Sequence, residues 1–382
     1  MKKLFAILLV LTMALAMFAG CSNEEPAPTN APAADAPVAE KNEVEVPAES
    51  GLSSLRVAAV FTGPRGDSGT VDMVANMLEK LEAEEGLQIE IVEGDGSMDV
   101  AKLTASVLDT ADEGYDLIVS TGTMSDVFRQ VAPDYPETTF CLYDTTFDFS
   151  TYDADNIYCA NFLQNEGAYL AGMLAMSMSE TGTVGFIGGM ENANICDFMW
   201  GYVEGAKYIN PQGTVAISFT GDWMDSAKAK EICLTQAGMN ADVVYPASGP
   251  CQEGAYEGAA EAGIYAIGVD NDREALYANS NPDWVEHILT SALKCVDAAV
   301  ERTIRLYAAG ELQMGQESLG IAEGGVDLCL DGNFKTLVPD DVQKLIEDTK
   351  QAIIDGEIAI GTAIGASAEE IAAIKEWAGK TE

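Results

Sequence analysis

The stretch Tyr265-Ala-Ile-Gly-Val-Asp-Asn-Asp-Arg273 contains a short apolar run that stops abruptly at two carboxylates. A buried strand of an open parallel sheet ends in this way, and ligands bind in the crevice outside the carboxyl ends of such strands. Asp270 is therefore the first candidate for a ligand-binding residue. A carboxylate at this position can equally cap the helix that follows, so the local sequence leaves both interpretations open for Asp270 and Asp272.

Outward from this stretch, the chain alternates short β-rich runs with longer helical patterns from Leu55 onward. This alternation predicts an α/β fold of the doubly wound type. The predicted strands are 56–61, 88–92, 117–120, 139–143, 157–161, 184–187, 215–219, 243–245, 266–269 and 288–290. They are more than one typical sheet holds, and the pattern restarts near Val184, which predicts two lobes.

The N-terminal segment has the layout of a secretory signal, with Lys2 and Lys3 before an apolar run. Phe18-Ala-Gly-Cys21 looks like a bacterial lipobox, which predicts Cys21 as a lipid attachment site. Two or more acyl chains, palmitate for example, give stable membrane anchoring. Residues 22–50 are rich in alanine, proline and acids and have no aromatic residue, which predicts a disordered tether.

Composition argues against several classes of function. The formal charge of -42 would repel a phosphate backbone, so nucleic acid is not an expected partner. His287 is the only histidine, and no Ser-His-Asp or Cys-His arrangement can be built around it, so we predict no enzyme. Asp270-Asn-Asp272 lacks the glycine and distal glutamate of a calcium loop. The sequence contains no CxxC pair, so the pattern typical of a zinc site is missing. We therefore expect neither a metal nor a cofactor.

Further candidate residues lie in loops that follow predicted strands and, in one case, on a predicted helix. Asp67 and Ser68 stand where a helix begins, either as ligand contacts or as helix caps. Trp223 and Phe198 are aromatic residues in polar loops, and each either stacks on a flat ligand or covers the core. Lys294, placed on a predicted helix over 292–309, either offsets buried acids, reaches a ligand or extends to solvent.

Seven segments together resemble the basic membrane protein family of substrate-binding lipoproteins, which includes purine nucleoside receptors. They follow one another in the family's order across about 230 residues. The segments are Gly63-Pro-Arg-Gly-Asp-Ser-Gly69, Asn165-Glu-Gly-Ala-Tyr-Leu-Ala-Gly172, Gly182-Thr-Val-Gly-Phe-Ile-Gly-Gly189, Phe198-Met-Trp-Gly-Tyr-Val-Glu-Gly205, Gly221-Asp-Trp-Met-Asp225, Ala266-Ile-Gly-Val-Asp270 and Leu289-Thr-Ser-Ala-Leu-Lys294.

The resemblance implies a type I periplasmic binding protein, with two doubly wound Rossmann-like lobes joined by a crossing hinge. The expected division is a signal peptide over 1–20, an acylated tether over 21–50, a first lobe over 51–162, a second lobe over 163–278, a return to the first lobe over 279–318, and completion of the second lobe with a tail over 319–382.

The resemblance also assigns roles to single residues. Asp270 would accept hydrogen bonds from ribose hydroxyls, which are strong because the acceptor is charged, and Lys294 would balance its charge. Trp223 or Phe198 would stack on a purine. Asp67, Ser68 and Gly249 would complete the ligand contacts. Many relatives have an aromatic residue after the first-loop glycine, whereas Gly69 is followed here by Thr70-Val71-Asp72, which removes one expected base contact.

The expected function is that of a monomeric receptor on the extracytoplasmic side of the cell membrane. It would close its lobes on a small ligand, expected to be a purine nucleoside, and deliver it to an ABC permease without catalysing a reaction. The alternatives are a ligand-sensing module of a signalling receptor, or a binding protein for another small ligand such as a base or a sugar.

Overall fold

The computed structural model describes residues 51–66, 69–152 and 155–379. The predicted signal peptide, Cys21 and the predicted tether lie outside these ranges, as do Asp67 and Ser68. Within the described ranges, no helix is long and apolar enough to cross a membrane.

The first lobe is built on a six-stranded parallel sheet. Its strand order is β11-β5-β4-β3-β1-β2. The strands are β1 (Arg56–Phe61), β2 (Gln88–Glu93), β3 (Leu117–Thr121), β4 (Thr139–Tyr143), β5 (Ile157–Phe162) and β11 (Gly315–Leu319). Helices α1 (Thr70–Glu85), α2 (Val100–Asp112), α3 (Ser125–Val131) and α10 (Val296–Ala309) complete this lobe. Its central strands read as continuous apolar runs because helices cover both faces of the sheet.

The second lobe has a six-stranded sheet of order β12-β10-β9-β8-β6-β7, in which only β12 is antiparallel to its neighbour. The strands are β6 (Thr183–Gly188), β7 (Thr214–Phe219), β8 (Val243–Tyr245), β9 (Tyr265–Asp270), β10 (Ile288–Lys294) and β12 (Val326–Leu328). The helices are α4 (Gln164–Met178), α5 (Ala193–Ile209), α6 (Ser226–Gly238), α7 (Gln252–Ala262), α8 (Arg273–Tyr277), α9 (Pro282–Val285), α11 (Asn333–Leu337), α12 (Asp340–Ile354) and α13 (Ala368–Ala378).

Close packing of α4 against α5 forms the centre of the second lobe. A Cβ atom on Gly201 would lie 2.0 Å from the carbonyl oxygen of Asn165, and one on Gly205 would lie 2.0 Å from that of Tyr169. Only glycine permits two helix backbones to approach this closely. The contact holds the middle and second half of α5 against the first half of α4, and the first turns of α5 carry one wall of the candidate site.

The chain crosses between the lobes at three places in the described residues. The crossings lie between β5 and α4, between β10 and α10, and between β11 and β12. Backbone hydrogen bonds join them: the Leu163 N–H donates to the Leu319 carbonyl at 2.9 Å, and the Cys295 N–H donates to the Gly325 carbonyl at 2.8 Å. These three segments form the hinge.

The return to the first lobe differs from the prediction. Residues 279–318 were expected there, but β10 pairs with β9 and β12 in the second sheet, so the return begins at α10. The apolar run that begins at Ile288 continues as a buried strand to Lys294, where the sequence predicted the first turns of a helix. A short apolar run is compatible with either element, and here sheet pairing decides.

Candidate ligand-binding site between the lobes

Two aspartates occupy corresponding places at the ends of strands in the two lobes. Asp144 directly follows β4 of the first lobe, and Asp270 is the last residue of β9 in the second lobe. Their φ angles are 60° and 68°, in the left-handed region that few residues other than glycine adopt. Aspartate tolerates this region better than most residues. The unusual backbone turns both carboxylates into the cleft.

Lys294, at the end of β10, joins the two aspartates. Its Nζ lies 3.1 Å from both carboxylate oxygens of Asp144 and 3.8 Å from Oδ1 of Asp270. Burial lowers the pKa of Lys294, but the negative charges of the two aspartates outweigh burial, so its pKa is raised above the usual value. The predicted helix was wrong for this residue. The predicted role of offsetting buried acids agrees with these contacts, and the side chain does not extend to solvent.

Asp270 has an unsatisfied acceptor. Its Oδ1 is buried and has no hydrogen-bond partner among the described residues, because 3.8 Å from Lys294 is too long for a hydrogen bond. Leaving a buried polar atom unpaired costs about 1–3 kcal/mol, and more when the group is charged. Asp272 has the other role, since its carboxylate accepts from the Ala275 N–H at 3.2 Å and caps α8. The helix-cap interpretation of the opening stretch therefore applies to Asp272, and ligand binding stays a prediction for Asp270.

A cavity of about 240 Å³ between the lobes, called here the central cavity, brings together five predicted site residues. These are Phe198, Trp223, Gly249, Asp270 and Lys294. The first lobe contributes Thr70 and Asp144 to its wall, and the second lobe contributes the rest of the described lining. A cleft between two lobes that holds a few convergent polar groups is a common ligand-binding arrangement.

The two aromatic residues of the central cavity differ in accessibility. Trp223 is 37% exposed, and its ring lies against two glycines: a Cβ atom would be 2.3 Å from the ring at Gly189 and 2.9 Å from it at Gly249. Phe198 is 5% exposed, and the ammonium of Lys294 lies 5.2 Å from its ring centroid. Trp223 is therefore the more accessible of the two rings, whereas Phe198 forms part of the buried floor.

Sequence reasoning missed Asp144 and Asn194. The run Thr139–Tyr143 followed by Asp144 shows the same signal that identified Asp270, a buried strand ending at a carboxylate. Asn194 lies in the first turn of α5, and its Nδ2 donates to Oδ1 of Asp144 at 3.5 Å. No local pattern predicts this contact, because it joins the two lobes.

The fold and this cleft define a class of protein: a two-lobed solute-binding protein in which a ligand is held between α/β lobes. The chain belongs to the Bmp family, described as ABC transporter substrate-binding protein, PnrA-like, which it matches over residues 54–363. Members of this family are binding proteins rather than enzymes. They act outside the cytoplasm at the membrane, with a small-molecule ligand and a permease as partners. The predicted family and fold are confirmed.

Individual relatives agree with this assignment. The chain is 32% identical over 260 residues to the ABC transporter nucleoside-binding protein BmpA of Lactococcus lactis, covering 65% of this chain and 72% of that one. It is 27% identical over 325 residues to basic membrane protein A1 of Borrelia garinii, covering 81% and 91%.

Solved structures show the same fold. An ABC transporter solute-binding protein from Aeropyrum pernix superposes with a TM-score of 0.69 at 25% identity, covering 85% of this chain and 99% of that one. A transcriptional activator of the comK gene from Bacillus halodurans superposes with a TM-score of 0.67 at 25% identity, covering 78% and 97%.

Proposed function

We propose that this chain captures a purine nucleoside in the central cavity and delivers it to the permease of an ABC importer. The observation that carries the proposal is the buried, unpaired Oδ1 of Asp270. A ribose presents neighbouring hydroxyl groups, and a carboxylate that accepts their protons makes charge-assisted hydrogen bonds. The Asp270 side chain lines the central cavity and is 24% exposed, so ribose hydroxyls in the cavity would donate to its carboxylate.

The base would stack on Trp223. Stacking of a base on an aromatic side chain contributes about 1–3 kcal/mol, and Trp223 is the more exposed of the two candidate rings. Gly189 and Gly249 leave the space that the Trp223 ring occupies. The similarity to a nucleoside-binding protein of Lactococcus lactis supports the same ligand class.

The charges of the site favour a nucleoside over a nucleotide. The cluster contains two carboxyl groups and one ammonium group, and Lys294 already contacts both acids. No other lysine or arginine lines the central cavity among the described residues. A phosphate would thus enter a site without surplus positive charge, and transfer of such a group from water is unfavourable.

Delivery would proceed by closure of the lobes about the three hinge segments. Cys21 is the proposed lipid attachment site, residues 1–20 the proposed signal peptide, and 22–50 the proposed tether of a monomeric receptor. Asp67 and Ser68 are proposed as first-lobe ligand contacts. Mass spectrometry of the mature N-terminal peptide tests the lipid anchor.

The test of ligand class is isothermal titration of the purified protein with adenosine, guanosine, inosine, uridine, adenine, ribose and glucose. We expect a purine nucleoside to bind most tightly. Asp270→Asn should weaken that binding at least tenfold, because a hydrogen bond to a charged group contributes about 1.5–3 kcal/mol. The matched control is Asp272→Asn, which alters the neighbouring helix cap and should leave affinity unchanged. Binding of a sugar or a free base in preference to every nucleoside contradicts the proposal.

A sensing role is the second candidate, and the similarity to a protein described as a transcriptional activator favours it. Deletion of the gene distinguishes the two roles. Loss of labelled nucleoside uptake indicates import, whereas unchanged uptake together with altered transcription indicates sensing.

A further inference from the structure

A second cavity adjoins the central cavity on the side of the hinge, and we call it the hinge chamber. Its volume is about 310 Å³. The central cavity alone is smaller than the roughly 300–1,000 Å³ that is usual for ligand pockets, whereas the two volumes together fall within that range. The chamber is lined by residues 144–146, 161–162, 164, 192–194 and 364.

Side chains separate the two cavities, and the separation is weak. Asp144, Asn192 and Asn194 line both cavities. Asn194 Nδ2 donates to Asp144 at 3.5 Å, which is at the limit for a hydrogen bond, while Asn194 Oδ1 accepts from Gln164 Nε2 at 2.9 Å. A ligand group can therefore replace the long bond without disturbing the backbone.

The hinge chamber offers hydrogen-bond donors on the Asn161 side. Gln164 is 2% exposed and holds this wall in place, because its Nε2 donates to Asn194 Oδ1 at 2.9 Å. Asn161 Oδ1 accepts from Gln316 Nε2 at 2.8 Å and from Ser318 Oγ at 2.9 Å, which leaves the Nδ2 donors of Asn161 for the chamber. Buried polar atoms in proteins are normally paired. This arrangement suits a polar group of the ligand.

The chamber does not suit an anion. Among its described lining residues the only charged side chain is Asp144, which Lys294 already contacts at 3.1 Å. An anionic group would lie beside a carboxylate with no lysine or arginine in the described wall. The polar group that fits is therefore uncharged, such as a hydroxyl or an amide.

We propose that the substrate is a purine nucleoside carrying an uncharged polar substituent, and that this substituent occupies the hinge chamber between Asn161 and Gln164. The inference rests on the proposed function, in which base and ribose occupy the central cavity. It narrows the substrate class from simple nucleosides to substituted ones, because a simple nucleoside leaves the hinge chamber empty and gives the Nδ2 donors of Asn161 no acceptor.

The test uses variants that fill the chamber and leave the central cavity intact. Ala193 and Thr146 are exposed residues that line the hinge chamber but not the central cavity. Ala193→Phe and Thr146→Trp therefore reduce the chamber without altering a buried position. The matched control is Ala101→Phe, an exposed alanine in the first turn of α2 that lines neither cavity.

The probes are adenosine, adenosine 5′-carboxamide, N6-(2-hydroxyethyl)adenosine and the corresponding guanosine compounds, with AMP and GMP as anionic probes, titrated by calorimetry. For the wild type we expect at least one uncharged derivative to bind about tenfold more tightly than its parent nucleoside. Both chamber variants should remove this gain and change the affinity for the parent less than twofold. The control should behave as the wild type does.

The outcomes separate the two proposals. If parent nucleosides bind but no derivative binds more tightly than its parent, the chamber inference alone is overturned. The same holds if both chamber variants retain the higher affinity for a derivative. Preferential binding of AMP or GMP overturns the assignment of an uncharged substituent. Absence of binding by every nucleoside overturns the proposed function, and the chamber inference with it.

Discussion

Asp144 and Asp270 are alike in backbone and position but differ in their partners. Each ends a strand in the left-handed conformation, and each contacts the same lysine. Both oxygens of Asp144 lie 3.1 Å from Lys294, whereas Oδ1 of Asp270 lacks a hydrogen bond among the described residues. The paired acid belongs to the first lobe and the unpaired one to the second. The difference indicates that Asp144 fixes one lobe relative to the other, while Asp270 remains available for a ligand.

The shared lysine gives the largest expected effect. Lys294→Met leaves two carboxylates close together in a site that is mostly buried, and removing one partner of a buried ion pair destabilises a protein by about 3–5 kcal/mol. We expect the free energy of unfolding, measured with urea, to fall by that amount. Lys228→Met removes a lysine whose ion pair with Glu231 is exposed, and this control should change stability by less than about 1 kcal/mol. Equal effects of the two variants would contradict the structural role of Lys294.

The two acids themselves provide the next test. Asp144→Asn should lower the free energy of unfolding by about 1–3 kcal/mol, because it removes a charge-assisted pair with Lys294. Asp270→Asn should change stability less, because it removes no short hydrogen bond of the described chain, although it weakens nucleoside binding. Urea denaturation and calorimetric titration of both variants measure the two quantities. If Asp270→Asn destabilises the protein more than Asp144→Asn does, the distinction between a structural and a ligand-binding aspartate fails.

The sequence predicts one half of this cluster and not the other, for a physical reason. The end of β9 can be recognised in the sequence because a buried strand must end at the surface of the core. A carboxylate at that point indicates the crevice of an α/β sheet. The same reasoning applied to β4 would have identified Asp144. That Asp144 and Lys294 meet depends on how the hinge orients two lobes far apart in the sequence, which no local pattern encodes. The end of β10 was missed because pairing with β9 and β12 overrides the helical pattern after Ala292.

Asp197 in α5 sharpens the comparison, because it is a buried aspartate with no ion pair to any described residue. Its carboxylate accepts from the Thr362 hydroxyl at 2.5 Å and from the Ala363 N–H at 2.8 Å. Burial raises the pKa of Asp197, and hydrogen bonds from Thr362, Ala363, Asn165 and Gln164 only partly oppose the shift. Neutral hydrogen-bond donors thus contact Asp197, whereas the ammonium of Lys294 contacts Asp144.

The pH dependence of stability tests that contrast and is the smallest expected effect. A group whose pKa is higher in the folded than in the unfolded protein stabilises the fold at low pH, and this contribution is lost as pH rises through the folded pKa. The comparison variant is Asp197→Asn, whose amide oxygen can accept the same two hydrogen bonds. The usual aspartate pKa is about 4. As the pH rises from about 4 to 7, the free energy of unfolding of the wild type should therefore fall relative to that of the variant. Urea denaturation across this range measures the difference. Asp341→Asn, at an exposed residue in the first turn of α12, controls for the loss of one negative charge. Parallel curves for the wild type and Asp197→Asn would show that burial does not raise the pKa of Asp197 in the folded protein.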